Sequence, residues 1–209
     1  MTKLTIGFSV VGIGPGSMEY LLPIAKKRVE SSDIIVGGSR HLELFSYTGL
    51  PIFCLDGQFS GVIDFIKKNR ENKKIAVVVS GDPGFYSLLG IIEQNFNKEE
   101  YSVIPGLSSF QLAFSRIKME WKNAEIISLH GKSLDILNRY ISDSSTLGML
   151  TDYKNTPFKI AEYMKSRNSR NRKIIITENL SYSDERIIET DIYTIKEGDR
   201  YKICIMIII

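Results

Sequence analysis

The fold is constrained above all by short, continuous apolar segments, most of which are followed by a helical pattern. LTIGFSVVGIG and KKIAVVVS are two such segments in the first half of the chain. Uninterrupted apolar strands are typical of a parallel sheet covered on both faces, whereas half-exposed strands alternate between apolar and polar residues. The alternation of strands with helices belongs to the α/β class. The first half therefore predicts a mostly parallel sheet between layers of helices.

The order of segments changes in the second half of the chain. The segment MEWKNAE, residues 119–125, interrupts the alternation and predicts a joint between a domain of residues 1–118 and a domain of residues 119–209. Near the end, ERIIETDIYTIK and YKICIMIII follow one another as strands without a helix between them. Such neighbours favour antiparallel pairing. The second domain is therefore predicted to contain a mixed sheet.

Composition and charge exclude several classes of protein. The chain has 209 residues, 43% of them apolar, and its net charge of +3 argues against affinity based on neutralising nucleic-acid phosphates. No apolar run approaches the roughly 18 residues of a membrane span, and the N-terminus does not resemble a signal peptide. Cys54 and Cys204 lie in apolar segments, which predicts two buried free thiols in a reducing cytoplasm.

A first glycine loop, GIGPGS at residues 12–17, follows a predicted strand and precedes a helix that we expect Ser17 to cap. This arrangement suggests a dinucleotide site, but Ser17 replaces the third glycine and Pro15 stiffens the turn that would bind the pyrophosphate. HGKS ends like a phosphate-binding loop, yet Ile126 stands where its first glycine belongs. We therefore predict neither a nicotinamide nor a flavin nor a P-loop site.

A second glycine loop, SGDPG, follows KKIAVVVS directly and contains one carboxylate, that of Asp82. Asp82 is predicted at the carboxyl end of a parallel strand, where ligands of open α/β sheets bind, and the glycines allow close backbone approach. The carboxylate could bind a ligand, or it could cap a helix that starts near Phe85. Both interpretations remain open from the sequence.

Three segments in order, GIGPGS, SGDPGFYS and IPGLSSFQLAFSRI, resemble the motifs of the tetrapyrrole (corrin and porphyrin) methyltransferase family. Their order and separation match over essentially the whole chain, which is more specific than any single motif. The resemblance implies an α/β protein with the two-domain tetrapyrrole methylase fold, a mostly parallel N-terminal sheet, a mixed C-terminal sheet and a trough between the domains. Within the family, AEIISLHGK and TENLSYSDERI look most like the enzymes that methylate C5 of cobalt-precorrin-7 or precorrin-6Y in cobalamin biosynthesis.

The resemblance also implies a cofactor, S-adenosyl-L-methionine, and the residues that contact it. In the first domain these belong to the first glycine turn, the loop with the GDP motif and the serine pair after Pro-Gly. In the second domain they belong to three predicted strand ends, which match by strand order more than by motif. The matching positions are Ile13, Gly14, Pro15, Gly81, Asp82, Phe85, Ser108, Ser109, Leu150, Leu180 and Ile203.

Methyl transfer from a sulfonium to a carbon nucleophile is a direct displacement, so the main tasks of the protein are alignment and exclusion of water. The sequence accordingly contains no G-x-S-x-G nucleophile motif. His41 and His130 are the only histidines, and neither has a metal-ligand neighbour at a useful spacing, so no metal site is predicted. His130 is a candidate proton shuttle, and a hydrogen bond to nearby backbone is the alternative.

The expected partners are a corrinoid substrate and a second copy of the chain in a homodimer, without nucleic acid or membrane. The sequence stops at Ile209, directly after its last strand, so we expect a separate partner for C15 methylation and decarboxylation. The basic run of residues 165–173 is interpreted as a solvated helix end, with attraction of a polycarboxylate substrate as the alternative. A sister methylase with another target and a non-catalytic nucleotide sensor remain alternative functions.

Overall fold

The structure is a computed structural model that describes residues 7–55, 59–141, 145–202 and 204–209. Contacts between residues divide the chain into two compact units, Met1–Ser108 and Ser109–Ile209. This division precedes the segment MEWKNAE, and the predicted boundary between residues 118 and 119 stays a prediction. No helix in the described part of the chain is long and apolar enough to cross a membrane.

The first unit is built on a parallel sheet of five strands. They are β1 (Phe8–Gly12), β2 (Ile34–Gly37), β3 (Ile52–Cys54), β4 (Ile75–Val79) and β5 (Tyr101–Ile104). Their order is β3-β2-β4-β1-β5, and every neighbouring pair is parallel. Every residue of the inner strands β1, β2 and β4 is buried. The parallel sheet predicted from the continuous apolar segments is confirmed.

Helices cover both faces of this sheet. They are α1 (Pro23–Glu30), α2 (Ser39–Glu43), α3 (Phe59–Asn69) and α4 (Leu89–Asn95). Because side chains alternate along a strand, Val10 packs in the core formed with α3 and α4, and Val11 packs in the core formed with α1 and α2. The strands therefore carry apolar residues at successive positions.

Two predictions for this unit are wrong. The helix predicted to start at Ser17 starts at Pro23, after a 3₁₀ turn, Met18–Tyr20. Proline suits the first position of a helix because its φ angle is already helical and because it has no N–H that would lack an intrahelical partner. Cys54, predicted to be buried, is exposed because β3 is the edge strand of the sheet.

The second unit is built on a mixed sheet of five strands. They are β6 (Glu125–Ser128), β7 (Leu147–Leu150), β8 (Lys173–Glu178), β9 (Arg186–Asp191) and β10 (Cys204–Ile208). The order is β6-β7-β10-β8-β9, in which only the pair β6–β7 is parallel. The mixed sheet predicted for the second half is confirmed.

The last strand, β10, is the central strand of this sheet. Met206 pairs with Met149 of β7 on one side and with Ile176 of β8 on the other, and the whole strand is buried. Cys204 is buried, which confirms the predicted buried thiol at this position, and this burial raises the pKa of the thiol to about 11. The apolar sequence of the last strand is thus explained by its own sheet.

Helices α5 (Ser109–Arg116) and α6 (Pro157–Ser166) belong to the second unit. Ile160 of α6 belongs to the core that contains Ile176 and Met206. A Cβ atom at Gly148 would lie 3.0 Å from a ring carbon of Phe110, so the glycine allows α5 to approach the sheet closely. Between β6 and β7 the chain forms a 3₁₀ helix, Leu134–Tyr140.

We expect His41 to make the stability of the protein depend on pH. Burial, and secondarily the charge of Arg40, lower the His41 pKa from 6.5 to about 4. As the pH falls below 6.5 the unfolded chain binds a proton that the folded chain does not, so stability decreases until about pH 4. Between pH 7 and pH 5, the free energy of unfolding should fall by about 1 to 2 kcal/mol more in the wild type than in His41→Gln.

Urea denaturation of both proteins at the two pH values measures this difference. All other titratable groups are the same in both proteins, so their contributions cancel in the comparison. Equal pH dependence of the two proteins would contradict the prediction.

Candidate functional site

The loops that follow β1, β4 and β5 meet at the carboxyl edge of the first sheet. Gly81 donates its N–H to the Gly14 carbonyl over 2.8 Å, and Gly14 donates its N–H to the Gly81 carbonyl over 3.4 Å. The two residues thus form an isolated antiparallel bridge between strands that are otherwise parallel. This bridge joins the first glycine loop to the second.

The backbones of these loops are in contact without side chains between them. A Cβ atom at Gly106, after β5, would lie 2.1 Å from the Gly81 carbonyl oxygen and 2.9 Å from the Gly12 Cα. Both distances are too short for a real side chain, so the contact requires glycine. Gly81 also has a φ of +64°, in the left-handed region that favours glycine. The loops after β1, β4 and β5 therefore pack backbone against backbone.

The Asp82 carboxylate adds a further link between two of these loops. Its Oδ1 accepts the Gly84 N–H over 2.8 Å, and its Oδ2 accepts the Gly106 N–H over 3.2 Å. Helix α4 begins at Leu89 and has no side-chain cap, so the interpretation of Asp82 as a helix cap is wrong. Asp82 instead joins the loop after β4 to the loop after β5, while remaining partly exposed.

The other predicted residues of the first unit differ in their exposure to solvent. Ile13 and Pro15 are buried, and the Ile13 N–H donates to the Val79 carbonyl. The Phe85 side chain is 38% exposed and packs edge to face against Tyr86, with ring centroids 4.8 Å apart. Tyr86, which the sequence analysis did not single out, has a φ of +52°.

The serine pair lies at the division between the units. Ser108 ends the first unit, and its Cα would lie 3.7 Å from a Cβ atom at Gly81. Ser109 is the first residue of α5 in the second unit. The first unit thus brings Ser108 together with the glycine loops.

In the second unit, the predicted residues Leu150 and Leu180 lie at one edge of the mixed sheet. Ser128 pairs with Leu150, and Leu150 pairs with Ile205, so β6 and β7 end where β10 begins. Cys204 pairs with Glu178 at the end of β8, and Leu180 follows two residues later. The predicted residue Ile203 lies outside the described residues.

A buried carboxylate, Glu178, lies at this edge and was missed by the sequence analysis. Its side chain is 2% exposed, accepts hydrogen bonds from the Arg186 guanidinium and accepts the Lys202 N–H over 2.6 Å. A buried carboxylate with these partners keeps its charge satisfied. The sequence TENL offered no signal for this role, because the partners come from β9 and from the segment before β10.

His130 lies at the same edge, exposed on a turn that is held from two sides. The Gly131 N–H donates to Asp152 over 2.7 Å, and the Asn155 side chain donates to the Leu129 and Lys132 carbonyls. Burial raises the Asp152 pKa, but hydrogen bonds from backbone N–H groups and the nearby His130 outweigh it and lower the pKa below its usual value. A proton-transfer role for His130 stays a prediction.

Most of the basic run of residues 165–173 is paired within its own unit. Lys165 and Lys173 form ion pairs with Glu162 and Glu189. Arg172, interpreted from sequence as solvated, is buried and donates to the Ser145 carbonyl. Among the described residues, no group of three or more His, Cys, Asp or Glu side chains is placed to bind a metal ion.

Comparison with known proteins relates most of the chain to one family. The family model for Tetrapyrrole (Corrin/Porphyrin) Methylases matches residues 7–196. A probable cobalt-precorrin-7 C(5)-methyltransferase from Methanocaldococcus jannaschii is 34% identical, with 91% of this chain and 92% of that protein covered. The family resemblance inferred from the sequence is therefore confirmed.

Solved structures of similar proteins share the fold. The precorrin-6Y methylase from Archaeoglobus fulgidus has a TM-score of 0.76 and 21% identity, with 97% of each chain covered. The uroporphyrin-III C-methyltransferase from Thermus thermophilus, in complex with S-adenosylhomocysteine, has a TM-score of 0.79 and 16% identity, with 96% of each chain covered. The predicted tetrapyrrole methylase fold is confirmed.

Removal of the Asp82 carboxylate should destabilise the first unit. Asp82→Ala leaves the Gly84 and Gly106 N–H groups without their acceptor, so we expect the free energy of unfolding to fall by about 2 kcal/mol. Asp33→Ala is the matched control, because the Asp33 carboxylate accepts the Lys74 N–H at the opposite edge of the same sheet. Urea denaturation measures both, and a loss in Asp82→Ala no larger than in Asp33→Ala would contradict the prediction.

Proposed function

Because the chain belongs to the tetrapyrrole (corrin/porphyrin) methylase family, we propose that it is an S-adenosylmethionine-dependent methyltransferase acting on C5 of cobalt-precorrin-7 or precorrin-6Y in cobalamin biosynthesis. The observation that carries the proposal is the 34% identity, over nearly the full length of both chains, to the M. jannaschii protein of that name. The segments AEIISLHGK and TENLSYSDERI support the same choice of ring position.

The first unit fits S-adenosylmethionine in three respects. Its strand-end loops meet at one edge of the sheet, its Asp82 carboxylate is partly exposed, and its Phe85 ring is partly exposed beside them. Strand ends at the carboxyl edge of a parallel sheet suit ligand binding, a carboxylate suits a cationic ligand, and an aromatic ring suits a flat base. We propose that these loops hold the cofactor through Ile13, Gly14, Pro15, Gly81, Asp82, Phe85 and Ser108.

In the second unit we propose Ser109, Leu150, Leu180 and Ile203 as further cofactor contacts. Leu180 is only 6% exposed, and its contribution is therefore expected from its backbone rather than from its side chain. Bound S-adenosylmethionine supplies an electrophilic methyl group on a sulfonium. The residues of this chain bind the two reactants, align them and exclude water, which is what a direct displacement requires.

We also propose His130 as the group that exchanges a proton with the substrate at an imidazole nitrogen. Its side chain is exposed at the site edge, while Asp152 and Asn155 fix the turn that carries it. A fixed turn lowers the cost of placing the ring against a substrate. His130 is the histidine of the second unit, since the other histidine of the sequence, His41, lies on α2 in the first unit.

Product mass tests the reaction. With S-adenosylmethionine and cobalt-precorrin-7, we expect a product heavier by a single methyl group that retains all its carboxylates, because C15 methylation and decarboxylation are proposed for a separate partner. Mass spectrometry of the purified reaction measures this. Loss of carbon dioxide, or addition of two methyl groups by this chain alone, would contradict the assignment.

Two control experiments separate the alternative functions. Calorimetry with S-adenosylhomocysteine and with NAD distinguishes a methyltransferase, which binds only the former, from a nucleotide sensor. Asp82→Ala should weaken S-adenosylhomocysteine binding, whereas Asp33→Ala should not. Methyl transfer to another precorrin, with none to cobalt-precorrin-7, would identify a sister enzyme of the same family.

We further propose that the protein works in the cytoplasm as a homodimer. The proposed dimer rests on the family resemblance alone. The apolar last strand does not require a second chain to cover it, because β7 and β8 pair with it on both sides. Sedimentation at micromolar concentration should therefore show a dimer. A monomer under these conditions would contradict the proposal, and wild-type secondary structure by circular dichroism would show that the protein is folded in the same sample.

A further inference from the structure

The loop between β8 and β9, residues 179–185, contains two non-glycine residues in the left-handed region. Asn179 has a φ of +48° and Ser181 has a φ of +73°, and the two residues flank Leu180. Such conformations cost roughly 1 kcal/mol or more each outside glycine and persist only when the surrounding structure holds them. The loop therefore requires specific contacts to keep its shape.

Carboxylates from the far end of the same loop supply these contacts. Glu185 accepts the Ser181 N–H on Oε2 over 2.7 Å, and Asp184 accepts the Asn179 side-chain amide over 2.8 Å. Each left-handed residue is thus held by one acidic neighbour. Leu180 therefore lies between two residues whose conformations are held by hydrogen bonds.

A third contact joins this loop to helix α5. Arg116, at the end of α5, donates from Nε to Glu185 Oε1 over 2.6 Å and from Nη2 to Oε2 over 3.3 Å. Burial raises the Glu185 pKa, but hydrogen bonds from Arg116 and Ser181 outweigh it and lower the pKa below its usual range, so the carboxylate stays ionised at neutral pH. The chain Arg116–Glu185–Ser181 therefore fixes the loop to a helix distant in sequence.

Stability alone is a weak reason for this ion pair. The Arg116 and Glu185 side chains are 33% and 19% exposed, and pairs with this much access to water typically contribute about 1 kcal/mol or less. The specific effect of the pair is to orient the Glu185 carboxylate, which accepts the Ser181 N–H. This orientation in turn determines the conformation of the backbone around Leu180.

We propose that Arg116 and Glu185 are positioning residues, which act through Ser181 to hold the Leu180 segment in the conformation that S-adenosylmethionine binds. The inference rests on the proposed function, in which Leu180 is a cofactor contact. It adds two residues that need not touch the ligand. If the loop were in the competent conformation only one-tenth of the time without them, the measured Kd would rise about tenfold.

The test compares Glu185→Ala with Glu100→Ala. Glu100 forms an ion pair with Arg70 in the first unit, with both side chains 26% exposed, so the control removes a pair of similar exposure far from the loop in sequence. We expect Glu185→Ala to raise the Kd for S-adenosylhomocysteine about tenfold, and Glu100→Ala to leave it within about twofold. The KM for S-adenosylmethionine should rise, whereas kcat and the KM for the corrinoid should not change.

Two further measurements keep the inference testable if Glu185→Ala folds poorly. Glu185→Gln keeps an acceptor oxygen for Ser181 but loses the charge, and we expect it to fold and to raise the Kd about threefold. Without any ligand, hydrogen exchange followed by mass spectrometry should be faster in residues 179–185 of both Glu185 variants, and unchanged there in Glu100→Ala.

Several outcomes would overturn the inference. An unchanged Kd in the Glu185 variants, with wild type binding S-adenosylhomocysteine, would refute the positioning role while leaving the proposed function intact. An equal rise of the Kd for S-adenosylhomocysteine in Glu100→Ala would mean that the affinity depends on the overall stability of the protein. Failure of the wild type to bind S-adenosylhomocysteine would instead refute the proposed function, and the inference with it.

Discussion

Direct contact between glycine backbones organises the carboxyl edge of the first sheet. A parallel sheet brings its strand ends to one edge, but side chains normally separate the loops that follow. Here Gly12 and Gly106 leave no room for a Cβ atom, and a backbone bridge and the Asp82 carboxylate join the loops that follow β1, β4 and β5. The loops form one surface because of these contacts. A ligand at this edge would therefore meet loops whose positions are largely fixed relative to one another.

The second unit achieves a similar result by other means. Its strand-end loops depend on buried or partly buried carboxylates, each of which accepts N–H groups from a neighbouring segment. Asp152 holds the turn with His130, Glu178 binds the segment before β10, and Glu185 holds Ser181. An ionised carboxylate accepts several hydrogen bonds at once, so a few acidic residues can fix several loops. Fixed loops lose little entropy when they bind a ligand.

The sequence predicted the features that depend on local pattern. Continuous apolar segments identified the buried strands, and the three glycine motifs identified the loops that meet at one edge. It did not predict features that depend on neighbours in space. The apolar context of Cys54 did not reveal an edge strand, the Asp82 loop did not reveal that its amide partner is Gly106, and the acidic residues of TENLSYSDER did not reveal their partners Arg116 and Lys202.

The position of β10 has a consequence for synthesis of the protein. β7 and β8 are not neighbours in the sheet, because β10 lies between them and pairs with both. Until the ribosome has translated residues 204–208, the nascent second unit lacks its central strand. The apolar strands β7 and β8 then have no common partner. The first unit, whose strands all precede Ser108, can complete its sheet earlier. We therefore expect the two units to mature at different times, with chaperones most needed by the second.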